Sequence, residues 1–273
     1  MMRYTAGIDV GSTYTKAVVL NAAGQIAGRA METTGFRLAE AAAKVYGEAL
    51  QQAGITASDV AYVVSTGYGR YQVPFRDVQV TDLTAQARGA TYFYLKTRTV
   101  LDVGGQTMKA IRLDENGKVR SFRVNDKCAA GTGAFVEKTA RYMGYTIERI
   151  GPLVSTSEKP VAISSVCAVF AESEVINHVS EGQTPADILN GAITSLGERS
   201  LQLMKRVQME PEFTLVGGIL RFGAMAEVIS AHLKKPVNVP PDDLAQYSAA
   251  LGAAVLARRR LDKLGRMPES RAV

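Results

Sequence analysis

The chain has 273 residues, of which 47% are apolar, and a formal net charge of +6. This length suits one large domain or two intimate lobes around a substantial core. No stretch approaches the roughly 20 uninterrupted apolar residues of a membrane helix, and the N-terminal residues lead into a strand pattern in place of a signal peptide. The sequence therefore predicts a cytoplasmic protein that does not bind a membrane.

The positive charge is most concentrated near the C-terminus, at residues 258–260, Lys263 and Arg266. Because no aromatic side chains are interleaved with it, a solvated helix face is favoured over a nucleic-acid patch. We therefore expect no nucleic-acid partner. A basic surface also suits an acidic partner such as a small electron carrier.

Apolar periodicity predicts the following elements in chain order. They are strand 4–8, a second strand from Lys16, helix 38–53, strand 60–66, strand 99–101, a further strand from Lys109, helix 133–142, strand 161–164, helices 169–180 and 185–208, strand 213–216, and helices 222–233 and 244–260. The alternation of strands and helices indicates an α/β fold.

An internal duplication organises these elements, since residues 9–26 align with residues 102–119 at a constant offset of 93. Seven positions are identical, and each copy reads as strand, Asp, Gly-bearing turn, strand and Gly-containing hairpin. We expect two related lobes: residues 1–95 with about 250–265, and residues 96–249, followed by a tail at 266–273. Small residues in the last helix allow it to pack on the first lobe.

The repeated turns have the chemistry of a phosphate site. Glycine, at Gly11 and at Gly104 and Gly105, lets backbone N–H groups approach phosphate oxygens, and Ser12 and Thr13 add hydroxyl donors. Lys16 offers positive charge, although a lysine on a strand can equally face solvent. Asp9 and Asp102 offer carboxylates for hydrated Mg²⁺ or for the attacking water. A third turn, at Gly217 and Gly218, leaves bare backbone for the face of an adenosine.

Residues 7–13 (GIDVGST), 102–106 (DVGGQ) and 216–218 (VGG) resemble the two phosphate motifs and the adenosine motif of the acetate and sugar kinase/Hsp70/actin superfamily. The resemblance implies paired ribonuclease-H-like lobes with ATP in the cleft between them. It also implies that Asp9, Asp102 and Gln106 act in hydrolysis. By analogy Glu137 contacts the ribose, with an exposed helix carboxylate as the alternative.

The two cysteines discriminate among such ATPases. Cys128 and Cys167 each precede a predicted helix, whose positive end stabilises thiolates and anionic clusters. Two cysteines cannot supply the four thiolates of a [4Fe–4S] cluster, but two subunits can. On spacing alone, two buried and inert cysteines are the more common situation. A disulfide and a dimer-bridging zinc site are further alternatives.

Residues 125–133 (NDKCAAGTG) and 166–174 (VCAVFAESE) closely resemble the cluster-ligand segments of the 2-hydroxyacyl-CoA dehydratase activators and of the ATPase subunits of ATP-dependent benzoyl-CoA reductase. Residues 65–70 (STGYGR) and 244–247 (LAQY, which contains Gln246) extend the resemblance. It implies ATP, Mg²⁺ and a [4Fe–4S] cluster held by Cys128 and Cys167 of two subunits. It also implies ferredoxin as electron donor, and a CoA-thioester reductase or dehydratase as partner.

Two departures favour the small, delta-type reductase subunit, which pairs with an unlike ATPase subunit, over a homodimeric activator. Residues 81–89 (TDLTAQARG) lack the Cys-His pair frequent in activators, and residues 106–109 (QTMK) replace their usual Gln-Asp-x-Lys. We further expect the loop from Asp102 to Gln106 to sense the γ-phosphate and to move the helices after the cysteines, with Gly131, Thr132 and Gly133 as the link. The rivals are a small-molecule kinase and a chaperone-like or filament-forming ATPase.

Overall fold

The computed structural model describes residues 4–125, 132–164 and 168–265. Within that part the chain forms two compact units, one running up to Leu95 and resuming at Tyr247, the other spanning Lys96 to Gln246. None of the helices in the described ranges has the length and apolar character needed to cross a bilayer.

Each unit, as far as the described residues extend, contains one five-stranded sheet, and the two sheets have the same strand order, β3-β2-β1-β4-β5 and β8-β7-β6-β9-β10. The strands are β1 Tyr4–Val10, β2 Tyr14–Leu20, β3 Ile26–Thr33, β4 Val60–Thr66, β5 Val78–Gln79, β6 Thr99–Val103, β7 Met108–Leu113, β8 Val119–Asn125, β9 Phe213–Val216 and β10 Val237–Asn238. Three antiparallel strands are followed by two parallel ones in both sheets.

The duplication seen in the sequence recurs bond for bond in the turns that join the second and third strands. The N–H of Asn21 donates to the carbonyl of Gln25 at 2.9 Å, and that of Asp114 donates to Lys118 at 2.8 Å. Gly24 and Gly117 have φ of 80° and 67°, a region that glycine enters without a steric penalty. The duplicated unit of strands and hairpin turns expected from the sequence is therefore confirmed.

The helices are α1 Leu38–Ala53, α2 Asp82–Phe93, α3 Gly133–Tyr142, α4 Ile150–Val154, α5 Ala168–Ser180, α6 Pro185–Arg206, α7 Gly223–Leu233 and α8 Ser248–Gly265. Their ends follow local chemistry. Thr81 and Thr184 accept N-cap hydrogen bonds at the starts of α2 and α6, and Gly54 ends α1 in the left-handed conformation.

The last helix packs against the first strand of its unit with almost no space between the backbones. A Cβ at Gly7 would lie 2.0 Å from the carbonyl oxygen of Ala250, and one at Gly252 would lie 1.8 Å from that of Ala85. Small residues are therefore required where α8 crosses β1 and α2. The second unit has its own core, in which the buried face of α6 covers apolar residues of β6 and β7.

The strand expected at residues 161–164 is wrong: this segment belongs to neither of the two described sheets, and two of its N–H groups donate to helices. The N–H of Val161 donates to Asp187 on α6, and that of Ser164 donates to the carboxylate of Glu174 on α5. β-branched residues alone do not make a strand. The helix expected at 244–260 begins as a 3₁₀ turn at Leu244–Tyr247, and α2 was not predicted.

Candidate functional site

Each unit has a short loop directly after its central strand, and these loops contain the predicted phosphate-binding residues. The first Asp loop (residues 11–13) follows β1, and the second Asp loop (residues 104–106) follows β6. Both are closed in the same way: Gly11 N–H donates to the carbonyl of Tyr14 at 3.2 Å, and Gly104 N–H to that of Thr107 at 2.9 Å. Ser12 and Gln106 are exposed at the two tips.

An Asp–Lys pair lies at the base of each Asp loop. Lys16 Nζ is 3.3 Å from Asp9 Oδ2, and Lys109 Nζ is 3.3 Å from Asp102 Oδ2. The residues of each pair face one another across antiparallel strands, so the strand register fixes the contact. The four side chains are at most 15% exposed. Lys16 therefore faces its carboxylate, and the solvent-facing alternative is wrong.

A glycine from the neighbouring parallel strand packs against each of these carboxylates. Gly67 follows β4 with φ 88°, and a Cβ there would lie 2.5 Å from Asp9 Oδ1. Gly217 follows β9 with φ 103°, and its Cβ would lie 2.8 Å from Asp102 Oδ1. The two glycines occupy equivalent places in the two units. Each Asp therefore has a lysine on one side and the bare backbone of a glycine on the other.

The second Asp loop is hydrogen-bonded to the first turn of α3. Gly133 N–H donates to the carbonyl of Gly104 at 2.9 Å, and Ala134 N–H to that of Gly105 at 3.0 Å. These donors belong to the first turn, where a helix leaves its N–H groups without internal partners. Two such donors of α3 are therefore engaged by the loop. Thr132, immediately before them, is fully buried.

The predicted adenosine turn and Gln246 are joined in one loop cluster of the second unit. Gly217 N–H donates to the carbonyl of Ala245 at 2.9 Å, next to Gln246 in the 3₁₀ turn. Gly218 has open space where a Cβ would be. Glu137 forms an ion pair with Arg141 one turn later on α3, and its side chain is 28% exposed.

Cys128, Cys167 and Gly131 lie outside the described residues. The helices that follow them are linked to each other, because Lys138 Nζ on α3 lies 2.7 Å from Glu172 Oε2 on α5. Glu174, on the same helix, accepts from the N–H of Ser164, so both glutamates have specific partners. In the described ranges, three or more His, Cys, Asp or Glu side chains never group as a metal site would require.

Two residues beside the Asp loops, one in each unit, were not assigned from the sequence. Lys109 is identical to Lys16 in the duplicated alignment, so the pairing of one predicts the pairing of the other. Gly67 lies in the STGYGR motif, but its equivalence to Gly217 is invisible in the sequence, because the segments between the third strand and the fourth differ in length. Sheet topology was needed to find it.

Comparison with known proteins gives a consistent result over almost the whole chain. Residues 6–257 match the BadF/BadG/BcrA/BcrD ATPase family. The 2-hydroxyisocaproyl-CoA dehydratase activator of Clostridioides difficile is 38% identical over 260 residues, covering 93% of this chain and 94% of the relative. One of the subunits of the benzoyl-CoA reductase of Thauera aromatica is 35% identical over 279 residues, covering 97% of each chain.

A solved structure extends the similarity to three dimensions. The activator of the 2-hydroxyisocaproyl-CoA dehydratase from Clostridium difficile with bound ADPNP matches 99% of this chain and 100% of its own, with a TM-score of 0.91 at 34% identity. The two mixed sheets with their helices thus form the actin-like ATPase fold that the sequence predicted.

Proposed function

The chain belongs to the BadF/BadG/BcrA/BcrD ATPase family, and on that premise we propose that it hydrolyses ATP to pass low-potential electrons from ferredoxin, through a [4Fe–4S] cluster shared by two subunits, to a benzoyl-CoA reductase-type partner. The observation that carries the proposal is the second Asp loop, whose carbonyl groups are bonded to the helix that follows Cys128. In this proposal, one segment would join the nucleotide chemistry to the cluster chemistry.

The residues of the two Asp loops suit ATP and Mg²⁺. Asp9 and Asp102 supply the oxygen ligands that Mg²⁺ prefers, directly or through water, and Lys16 and Lys109 balance part of that charge. A Cβ at Gly67 or Gly217 would press on these carboxylates. Bound Mg²⁺ would neutralise phosphate charge, and Asp9 and Asp102 would hold the hydrated metal and orient the attacking water.

The proposed cluster needs a second subunit, because one chain supplies only Cys128 and Cys167. Helix α5 begins directly after Cys167, and three of its apolar side chains are exposed: Phe170 (65%), Ile176 (52%) and Val179 (41%). Exposed apolar side chains concentrated on one element are typical of an interface. Phe170, three residues after Cys167, supports association of two subunits beside the cysteines, whereas Ile176 and Val179 lie about 120° and 180° around the helix from it.

We propose that the nucleotide acts on the cluster segment through the bonds from Gly133 and Ala134 to the second Asp loop. A change of the loop between ATP and ADP would shift the start of α3, five residues after Cys128. Gly133→Pro removes the N–H donor at a helix position where proline is otherwise favoured. It should abolish the difference between the ADP-bound and ATP-bound electron paramagnetic resonance spectra. Gly133→Ala keeps the donor, with its Cβ 3.2 Å from the Gly104 oxygen, and should keep the spectral difference. Equal spectral differences in both variants would contradict this route.

The choice of a reductase role over an activator role rests on residues 81–89 and 106–109, which differ from the motifs usual in the activators. The relatives of 38% and 35% identity include an activator and a reductase subunit, so a homodimeric activator of 2-hydroxyacyl-CoA dehydratase is the second candidate. Anaerobic co-purification distinguishes them. A reductase subunit should be recovered with an unlike ATPase subunit, and an activator as a homodimer.

The central test is iron analysis and electron paramagnetic resonance on protein purified anaerobically with its partner subunit. We expect four irons per pair of subunits and release of ADP and phosphate. Cys128→Ser and Cys167→Ser should each remove the cluster and leave ATP binding in place. Active protein without iron would overturn the electron-transfer proposal, and phosphate transfer to a sugar or acid would favour the kinase.

The interface has its own test. Phe170→Glu places a charge on the exposed surface of α5 and should produce monomers that lack iron. Leu95→Glu, at a side chain that is 86% exposed in the other unit, is the matched control and should leave assembly unchanged. Iron-containing dimers of the Phe170 variant would contradict the placement of the interface.

A further inference from the structure

Thr34, immediately after β3, contacts the first Asp loop through two groups at once. Its hydroxyl donates to the carbonyl of Gly11 at 2.8 Å, and its N–H donates to the carbonyl of Thr13 at 3.0 Å. Thr34 is 3% exposed. Two of the carbonyl groups of this loop are therefore directed towards one buried residue.

The direction of those carbonyls determines where the N–H groups of the loop point. In a planar trans peptide the carbonyl of one residue and the N–H of the next point in opposite directions. Because the carbonyl of Gly11 is bonded to Thr34, the N–H of Ser12 faces away from Thr34. Among the described residues this N–H has no partner, so it is available to an external acceptor.

A second hydroxyl supports the contact. Thr15 Oγ1 lies 2.9 Å from Thr34 Oγ1, and both side chains are buried. A hydroxyl has one proton to donate. Since that of Thr34 is given to Gly11, Thr15 is the donor between the two. In this series of hydrogen bonds, from Thr15 to Thr34 and from Thr34 to Gly11, each bond polarises the next.

The second unit forms the equivalent bond with different chemistry. Gly104 is equivalent to Gly11, and its carbonyl accepts from the backbone N–H of Gly133. The position of Thr15 is taken there by Met108, which is buried and cannot donate. The same acceptor is thus fixed in both Asp loops, by a side chain in one and by a helix N–H in the other.

We propose that Thr34 is a positioning residue for nucleotide binding, which turns the N–H of Ser12 towards a phosphate of ATP. The inference rests on the proposed ATP site and names a residue of that site beyond the three residues of the loop and Lys16 on β2. Thr34 does not touch the phosphate; it acts through the peptide between Gly11 and Ser12.

The test compares ATP affinity in the full-length chain. Thr34→Val removes the hydroxyl and keeps the volume, and it should raise the Kd for ATP about tenfold and the KM far more than it lowers kcat. Thr34→Ser restores the hydroxyl and should lie within about twofold of the wild type. Thr34→Ala serves as the second variant where the valine does not fold.

The matched control is Thr97→Val, which breaks another buried hydroxyl pair, Thr97 with Thr214 at 2.6 Å, ahead of β6. It should lose thermal stability without loss of ATP affinity. Wild-type ATP affinity in Thr34→Val would overturn this inference and leave the proposed function standing. An equal loss of ATP affinity in Thr34→Val and Thr97→Val would do the same. A wild-type chain that binds no ATP would overturn the proposed function and this inference together.

Discussion

Lys109 lies directly opposite Asp102 in the antiparallel pair of β6 and β7, with 3.3 Å between Nζ and Oδ2. Lys109→Met removes the charge and leaves a largely buried carboxylate without this partner. We expect a loss of about 1–3 kcal/mol in the free energy of unfolding and a fall in ATP turnover of at least about tenfold. Urea unfolding and phosphate release measure the two effects. Lys118→Met, on the exposed turn between β7 and β8, should change neither.

Asp9→Asn and Asp102→Asn test the carboxylates with almost no change of shape. Each amide oxygen still accepts from its lysine, so folding should be kept. The loss of negative charge should lower kcat for ATP hydrolysis by about 100-fold or more, since the variants hold Mg²⁺ and the attacking water less well. Asp114→Asn, on an exposed turn, is the control. Turnover within about threefold of the wild type in both site variants would contradict the assignment.

Gly67→Ala tests the glycine that packs against Asp9. Alanine at this position would have to adopt the left-handed backbone at φ 88°, and its Cβ would lie 2.5 Å from Asp9 Oδ1. Gly54→Ala has the same kind of backbone cost, at φ 67°, with no atom within 4 Å. We expect Gly54→Ala to lose about 1 kcal/mol of stability, and Gly67→Ala to lose more, because its Cβ would also lie 2.5 Å from the carbonyl oxygen of Val10. Only Gly67→Ala should lose ATP turnover as well. Equal turnover in the two variants would show that Gly67 is needed only for its conformation.

Asp187 at the start of α6 should contribute an acid-sensitive part of the stability. Hydrogen bonds from the hydroxyls of Thr184 and Ser157, and from the N–H of Lys159, hold the pKa of this carboxyl below its usual range. Its stabilisation is therefore present above the unfolded-state pKa and is lost as the pH falls through the folded-state pKa. Thermal unfolding from about pH 7 to about pH 3 should show wild type and Asp187→Asn converging in acid. A difference in stability between the two proteins that stayed constant over this pH range would contradict the linkage.

The repeated hairpin was predictable from sequence because its determinants are local. Strand alternation, the aspartates and the turn glycines at Gly24 and Gly117 all lie within 18-residue segments that align without gaps. The pairing of Asp9 with Lys16 follows once the register is known, because a hairpin fixes which residues face each other.

What the sequence did not predict depends on contacts between distant segments. Gly67 meets Asp9 only because β4 lies parallel to β1. The bond from Gly133 to Gly104 requires α3 to begin beside β6, and no local pattern encodes that approach. Residues 161–164 read as a strand because their side chains favour one, yet the available partners belong to helices.

The two ways of fixing the Asp loops differ in how mutation can alter them. The bond from Gly133 to Gly104 is made by main-chain atoms, so every amino acid except proline keeps the donor. The bond from Thr34 to Gly11 needs a hydroxyl, and single codon changes can weaken it, remove it or restore it. The two Asp loops therefore differ in how substitution acts on them: at residue 34 the side chain decides whether the bond forms, whereas at residue 133 only proline removes the donor, although a Cβ there would lie 3.2 Å from the Gly104 oxygen.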